Sequence, residues 1–191
     1  MLSKKLGRSL DRPLARLALH VPFTPNAVTV SGFIFTMFAC FVLTFNLVIG
    51  GILILLAGFF DMLDGAVARA QGTATSYGAF LDSVLDRYAD AGIMIAVAWY
   101  MFSRGNTVGM LLSLASLVGS FLISYARARA EGLSVSCSHG LMERPERIIL
   151  LAAGAITGYI IPVLWIMTVL THYTVIQRIM HTQKKLSKRI D

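Results

Sequence analysis

Charge is what this chain has least of. Only 14% of its 191 residues are Asp, Glu, Lys or Arg, while 56% are hydrophobic; soluble domains carry charge on roughly a quarter of their residues. An ordinary soluble fold is therefore excluded, and the bilayer is the expected solvent. A separate soluble domain does not fit either, because one span takes about 20 apolar residues and the length accommodates about six spans and little else. Cysteine is nearly absent: Cys40 in an apolar run and Cys137 in a polar loop match no metal-ligand spacing and read as free thiols. His20, His139, His172 and His181 lie apart from one another and from the acidic motif below, which argues against an imidazole metal or general-base site. There is no fold-scale repeat and no low-complexity tract. A cleavable signal is not expected, since Lys4, Lys5, Arg8, Arg12 and Arg16 run through the start of the chain and leave no apolar core of adequate length.

What is present is amphipathic or apolar. At about 100° per residue, Leu2, Leu6, Leu10, Leu14, Leu17 and Val21 share one face, and the five basic residues lie opposite. Residues 1–21 are thus expected to form an interfacial helix on the membrane surface, kinked or split at Pro13. Residues 22–191 are expected to form one all-α integral membrane domain with spans near 26–46, 48–69, 77–102, 107–130, 144–160 and 162–181. Asn46, Gly50-Gly51, Ser103–Asn106, Gly132–Gly140 and Pro162 are the expected breaks. With the N-terminus in the cytoplasm, sixteen of the seventeen Lys and Arg residues fall on that side and only Arg104 falls outside. The positive-inside rule then gives a multi-pass protein of the cell membrane with both termini cytoplasmic. The net charge of +7 suits anionic headgroups better than nucleic acid in so apolar a chain.

Four of the ten acidic residues, Asp61, Asp64, Asp82 and Asp86, fall near the cytoplasmic ends of spans two and three. An ionised Asp at the bilayer centre costs about 2.5–3.5 kcal/mol on insertion scales, so such a group calls for neutralising cations. Asp61, Asp64, Gly65 and Ala68 recur at i, i+3, i+4 and i+7, with Arg69 beside them; Gly78, Asp82 and Asp86 recur at i, i+4 and i+8. The two spans run antiparallel across a short cytoplasmic turn, so the acidic faces can converge. Hard carboxylate oxygens without imidazole or thiolate favour magnesium, manganese or calcium over zinc. Two such ions about 3.5–4 Å apart would clamp a diphosphate. Gly65 and Ala68 leave room for a nucleotide beside the carboxylates, Gly78 opens the facing helix, and Arg69 offers a planar fork to a phosphate or base.

The pattern Asp61-x-x-Asp64-Gly65-x-x-Ala68-Arg69, eight residues, Gly78-x-x-x-Asp82-x-x-x-Asp86 resembles the signature of the CDP-alcohol phosphotransferases without a departure. The resemblance implies that Asp61, Asp64 and Asp82 bind one metal, that Asp61, Asp82 and Asp86 bind a second, and that Asp86 takes the acceptor's proton. Magnesium is the implied ion, with manganese possible. A homodimer with one site per protomer is implied as well. In this context Asn26 and Thr29, within Thr24-Pro25-Asn26-x-x-Thr29, are expected to bind the donor's diphosphate, and Thr75 is a further donor contact. Taken alone, Thr24-Pro25 reads equally well as a helix start.

A second cluster follows in Ser124-Tyr125-Ala126-Arg127-Ala128-Arg129-Ala130-Glu131, Glu143-Arg144-Pro145-Glu146-Arg147 and Gln177-Arg178. Exclusive use of arginine favours bidentate phosphate recognition over a mere basic border. These stretches are similar to the subgroup that joins a CDP-lipid to inositol 1-phosphate, and that likeness implies an acceptor pocket of Ser124, Arg127, Arg147 and Arg178. A lysine of that subgroup is replaced here by Arg127. Glu131, Glu143 and Glu146 are expected to orient the arginines, and Asp90 either hydrogen-bonds within the bundle or supports Asp86. The expected reaction moves a phosphatidyl-type group from CDP-diacylglycerol or CDP-archaeol to inositol 1-phosphate. Glycerol 3-phosphate is the alternative acceptor, and a cation transporter is the alternative of another class.

Overall fold

The computed structural model describes residues 24–70, 75–137 and 140–188, and only the backbone of Pro25 and of residues 60–70. The expected interfacial helix of residues 1–21 lies outside the described residues. Among those described, regular structure is entirely helical: α1 Pro25–Leu43, α2 Leu47–Ala70, α3 Ser76–Ser103, α4 Thr107–Gly132, α5 Arg144–Thr157 and α6 Ile160–Ser187.

Short polar residues begin α1 to α4 by taking up otherwise orphaned N–H groups. The Thr24 hydroxyl accepts from Ala27 N at 3.4 Å ahead of Pro25. Asn46 Oδ1 accepts from Ile49 N at 3.0 Å, and Asn106 Oδ1 from Gly109 N at 2.7 Å. Two expected breaks are corrected. Gly50-Gly51 lies inside the continuous α2, because bare Cα atoms are needed there for packing: a Cβ on Gly50 would come within 2.6 Å of Leu43 Cα, and one on Gly51 within 3.0 Å of Ala155 Cβ. Pro162 does not end a helix but sits in the first turn of α6, where a missing N–H costs nothing. The chain turns instead at Gly158, whose φ of +79° is left-handed. Consequently Gly154 and Gly158 do not form a packing pair: Gly154 faces Val163, and Gly158 caps α5. The last helix also outruns its apolar stretch, continuing to Ser187 with Lys184 and Lys185 in its final turn, where cations favour the helix C-terminus.

Packing is cyclic. The chief helix contacts run α1 to α2, α2 to α5, α5 to α6, α6 to α4, α4 to α3 and α3 back to α1. The ring closes over a core that includes Leu43, Ile54, Val97, Leu151, Leu164 and Met167. Between α4 and α6 the seam is small and hydroxylated: Ser113, Ser116, Thr171 and Thr174 are buried, and the Ser116 and Thr168 hydroxyls bond at 2.9 Å. Such residues bring helices together in lipid, where apolar burial alone supplies little drive. The outer surface is apolar. Ile34, Phe38 and Phe41 recur along one side of α1 and Phe45 follows in the turn, all at 53–65% exposure, a stripe that lipid would cover. Asn26–Leu43, Thr107–Gly132 and Ile160–Ser187 are long and apolar enough to cross a membrane, and Leu47–Phe59 forms a shorter apolar stretch. The ring therefore has the make-up of a membrane protein.

Candidate active site

Helical periodicity sets Asp82, Asp86 and Asp90 along one face of α3. Across the ring, α5 starts at Arg144 with Pro145 in its first turn, so Arg147 lies one turn further along the same side. Arg144 NH1 meets Asp86 Oδ1 at 2.8 Å, and its Nε lies 3.4 Å from Asp90 Oδ1. Arg147 donates from NH2 to Asp90 Oδ2 at 2.6 Å and from NH1 to the Met142 carbonyl at 3.0 Å. Two carboxylates and two guanidiniums thus alternate between helices that face each other across the ring. The α3–α5 pairing is charge-assisted and mostly buried, so it is held more firmly than a surface ion pair.

The remaining arginines of the expected acceptor pocket fall into two settings. Arg178, buried on α6, donates to the Ile123 carbonyl of α4 and lies in electrostatic reach of Arg127, Glu143 and Arg147. Arg127 is exposed and pairs with Glu131 one turn on, at 2.8 Å, the orienting role expected of that glutamate. Together with Ser124 and Asp86, Arg127 lines an open cleft of about 870 Å³ between α3 and α4. Its size suits a drug-sized or nucleotide-sized molecule.

On the other side of Asp86 is a cavity of about 20 Å³, lined by Thr29, Gly32 and Thr36 of α1, Ala57 of α2, Asp86 of α3 and Arg144 of α5. It is wide enough for one water. Four helices meet at this point, and Thr29, an expected donor contact, is brought to Asp86. Asn26 and Thr75 are brought together elsewhere, at the starts of α1 and α3: a Cβ on Gly78 would approach Asn26 Oδ1 to 3.0 Å and Thr75 Oγ1 to 3.1 Å. At Gly78 the bare Cα makes room for the Asn26 and Thr75 side chains. Thr75 has a structural task, accepting from Gly78 N at 3.0 Å as the cap of α3.

The carboxylates of Asp61 and Asp64 and the guanidinium of Arg69 lie outside the described residues, and Gly65 is described by its backbone alone. Their helix is described, and position 57 stands one and two turns from positions 61 and 64 on the same face. Since Ala57 shares the small cavity with Asp86, the face of α2 bearing Asp61 and Asp64 continues the line of that cavity. Asp82 and Asp86 on α3 offer hard carboxylate oxygens of the kind magnesium or manganese takes, and among the described residues no group of three or more His, Cys, Asp or Glu comes together to hold a metal ion. His172 and His181 are spent on backbone carbonyls, of Thr168 at 2.9 Å and Ser136 at 3.2 Å. Sequence reasoning includes Arg144 in the second arginine cluster but gives it no role of its own, and leaves Asp90 undecided. Asp90 has a usable signal, because it extends the i+4 register of Asp82 and Asp86.

A helical membrane bundle with a carboxylate row on one wall and arginines on the wall opposite is a phosphate-handling membrane enzyme. The chain belongs to the CDP-alcohol phosphatidyltransferase family, whose model matches residues 22–182. It is therefore a CDP-alcohol phosphotransferase, and the transporter alternative falls away. It is 37% identical over 201 residues to a phosphatidylinositol phosphate synthase of Mycobacteroides abscessus, covering 100% of this chain and 91% of that protein. It is 36% identical to an archaetidylinositol phosphate synthase of Methanothermobacter thermautotrophicus, covering 95% and 92%. The fold matches crystal structures of the Mycobacterium tuberculosis phosphatidylinositol phosphate synthase. With CDP-DAG bound, that structure gives a TM-score of 0.81 at 30% identity over 91% of this chain and 94% of the other. In complex with manganese and citrate it gives 0.82 at 31% identity over 91% and 88%.

Proposed function

We propose that this chain transfers the phosphatidyl-type group of a CDP-activated lipid to inositol 1-phosphate and releases CMP. The observation that carries the acceptor is that Arg127 and Arg147 both lie within electrostatic reach of the buried Arg178, on the walls that flank Asp86. Three guanidiniums suit a phosphate dianion better than a zwitterion such as serine. The inositol phosphate products named for relatives covering nearly the whole chain support the same choice.

In this reading Arg147 and Arg178 hold the acceptor phosphate, while Ser124 and Arg127 approach it from α4. Asp86 accepts the proton of the acceptor hydroxyl. That oxygen then forms the new bond to the lipid-linked phosphorus, the bridging P–O bond breaks, and CMP leaves with the electron pair. Asn26, Thr29 and Thr75 at the starts of α1 and α3, with Gly65 and Arg69 on α2, form the donor side. Asp61, Asp64, Asp82 and Asp86 would hold two divalent ions, magnesium by preference, which when bound offset the charge of the diphosphate and the departing CMP.

All six helices lie across the cell membrane in this reading, α5 only part of the way, with residues 1–21 as an interfacial segment on its cytoplasmic surface and 22–191 as the transmembrane domain. Both termini and the site face the cytoplasm, and two copies pair as a homodimer with one site each. The shortness of α5 supports a recessed site: 14 residues rise about 21 Å, less than the roughly 30 Å of a hydrocarbon core. Arg144 and Arg147 then lie below the cytoplasmic boundary, where arginines need the carboxylates they meet.

The test is release of labelled CMP from a CDP-lipid with inositol 1-phosphate, inositol, glycerol 3-phosphate and serine offered in turn to one preparation. Inositol 1-phosphate should give the highest kcat/KM. A preference for glycerol 3-phosphate would overturn the acceptor while leaving the phosphotransfer chemistry in place.

A further inference from the structure

We propose that Asp90 is a positioning residue for the acceptor: its carboxylate fixes the Arg147 guanidinium, and with it Arg144, in the orientation that receives the acceptor phosphate. The proposal rests on the reading of Arg147 as a phosphate ligand and concerns a residue outside the metal-binding and proton-accepting set.

Asp90 lies one turn beyond Asp86 on the same face of α3, and its two oxygens serve two arginines of α5. Oδ2 accepts from Arg147 NH2 at 2.6 Å, and Oδ1 lies 3.4 Å from Arg144 Nε. Arg147 is 5% exposed, and its NH1 is held separately by the Met142 carbonyl at 3.0 Å. These two bonds use two of the five N–H groups of the guanidinium and fix its plane, leaving three that they do not engage. A long side chain fixed during folding does not lose its rotamer freedom again when the ligand binds. Asp90 also stands between two like charges, which would otherwise repel along one side of a short helix. Arg144 has a second anchor in Asp86, at 2.8 Å.

A carboxylate here could instead serve only to neutralise buried charge, and the two roles differ in what they change. If Asp90 positions Arg147, Asp90→Asn raises the acceptor KM at least about 10-fold. Donor KM and kcat at saturating acceptor then stay within about 3-fold. Inorganic phosphate, competing with the acceptor, should weaken as an inhibitor in parallel. A purely structural role would lower the amount or thermal stability of folded enzyme in detergent and leave acceptor KM unchanged, overturning the proposal.

A double-mutant comparison adds a measurement independent of folding yield. Arg147→Lys removes the planar fork, so adding Asp90→Asn to it should change acceptor KM by less than about 2-fold; full multiplication of the two effects would mean that Asp90 acts elsewhere. Should Asp90→Asn not accumulate in membranes, Asp90→Glu replaces it, retaining the charge but displacing the oxygens. A rise confined to acceptor KM supports positioning, and an unchanged acceptor KM overturns it. Running the series with glycerol 3-phosphate as well separates this proposal from the acceptor's identity, since a positioned Arg147 would show its effect on whichever phosphorylated acceptor the enzyme prefers.

Discussion

Arg147 and Arg127 carry the same side chain toward the same proposed ligand, yet the two walls that hold them are built differently. On the α5–α6 wall, Arg147 and Arg178 are buried at 5% and 3% exposure, and their guanidiniums are fixed on Asp90, the Met142 carbonyl and the Ile123 carbonyl. On the α4 wall, Arg127 leans on Glu131 with half of each side chain in the open, beside a wide cleft. The first wall is pre-oriented and desolvated, so its hydrogen bonds to a phosphate would be strong and its disruption costly. The second is adjustable and screened, so it suits steering and final adaptation more than affinity. Recognition here is thus divided between a rigid half and a compliant half.

The largest effects should fall where both walls meet the carboxylate row, since neither wall matters without it. Exhaustive EDTA treatment should abolish CMP release, and magnesium or manganese should restore it, whereas a zinc-selective chelator should leave it intact. Full activity after EDTA would sink the metal assignment. Next comes Asp86→Asn, expected to keep donor binding and to lower turnover by at least about 100-fold, in the range of general-base assistance. Metal titration at saturating substrates separates loss of proton transfer from loss of an ion. Near-normal turnover would remove Asp86 from the chemistry.

The comparison of the two walls explains what could be read from the chain before its structure. The six helices were legible because apolar runs of span length are a strong signal, and the signature acids because their spacing matches helical periodicity. Helix ends were less legible wherever a residue has two uses. Glycine usually weakens a helix interior, yet Gly50 and Gly51 are there so that α2 can press on Leu43 and Ala155; proline usually ends a helix, yet Pro162 helps to begin one. Within the site, all four acceptor residues were nominated alike, because a sequence shows an arginine's identity but not its burial. The separation of Arg147 from Arg127 depends on Asp90 and on the Met142 carbonyl, contacts made across 57 and 5 positions, the second to a backbone atom that has no sequence signature. Arg144 has no separate role legible in the sequence for the same reason: Asp86 and Asp90, which it meets, lie on a helix on the far side of the ring.

On the rigid wall, Arg147→Ala should raise the acceptor KM by about 10- to 150-fold, the equivalent of one charge-assisted hydrogen bond of about 1.5–3 kcal/mol. It should also lower the melting temperature in detergent, because Asp90 loses its closest partner in a site that is mostly buried. Donor KM should move little. An equal rise in both KM values would show that the arginine shapes the whole site and not the acceptor end alone.

The smallest expected effect is the one that most sharpens the contrast. Arg127→Gln removes the same charge as Arg147→Ala, but from the compliant wall. Its present ion pair with Glu131 joins side chains that are 51% and 48% exposed, a setting in which pairs are worth about 0–1 kcal/mol. An exposed guanidinium reaching a phosphate should contribute on that scale, so the acceptor KM should rise by no more than about 5-fold, with no change in melting temperature. Salt provides the independent check. The contribution of Arg127 should shrink as ionic strength rises and the Debye length falls from about 10 Å at 0.1 M to about 3 Å at 1 M, while that of buried Arg147 should persist. The ratio of acceptor KM between Arg127→Gln and the unsubstituted enzyme should therefore approach one in high salt. If Arg127→Gln costs as much as Arg147→Ala, and salt does not reduce the cost, then α4 closes on the acceptor as tightly as α5 does, and the division into a rigid and a compliant wall is wrong.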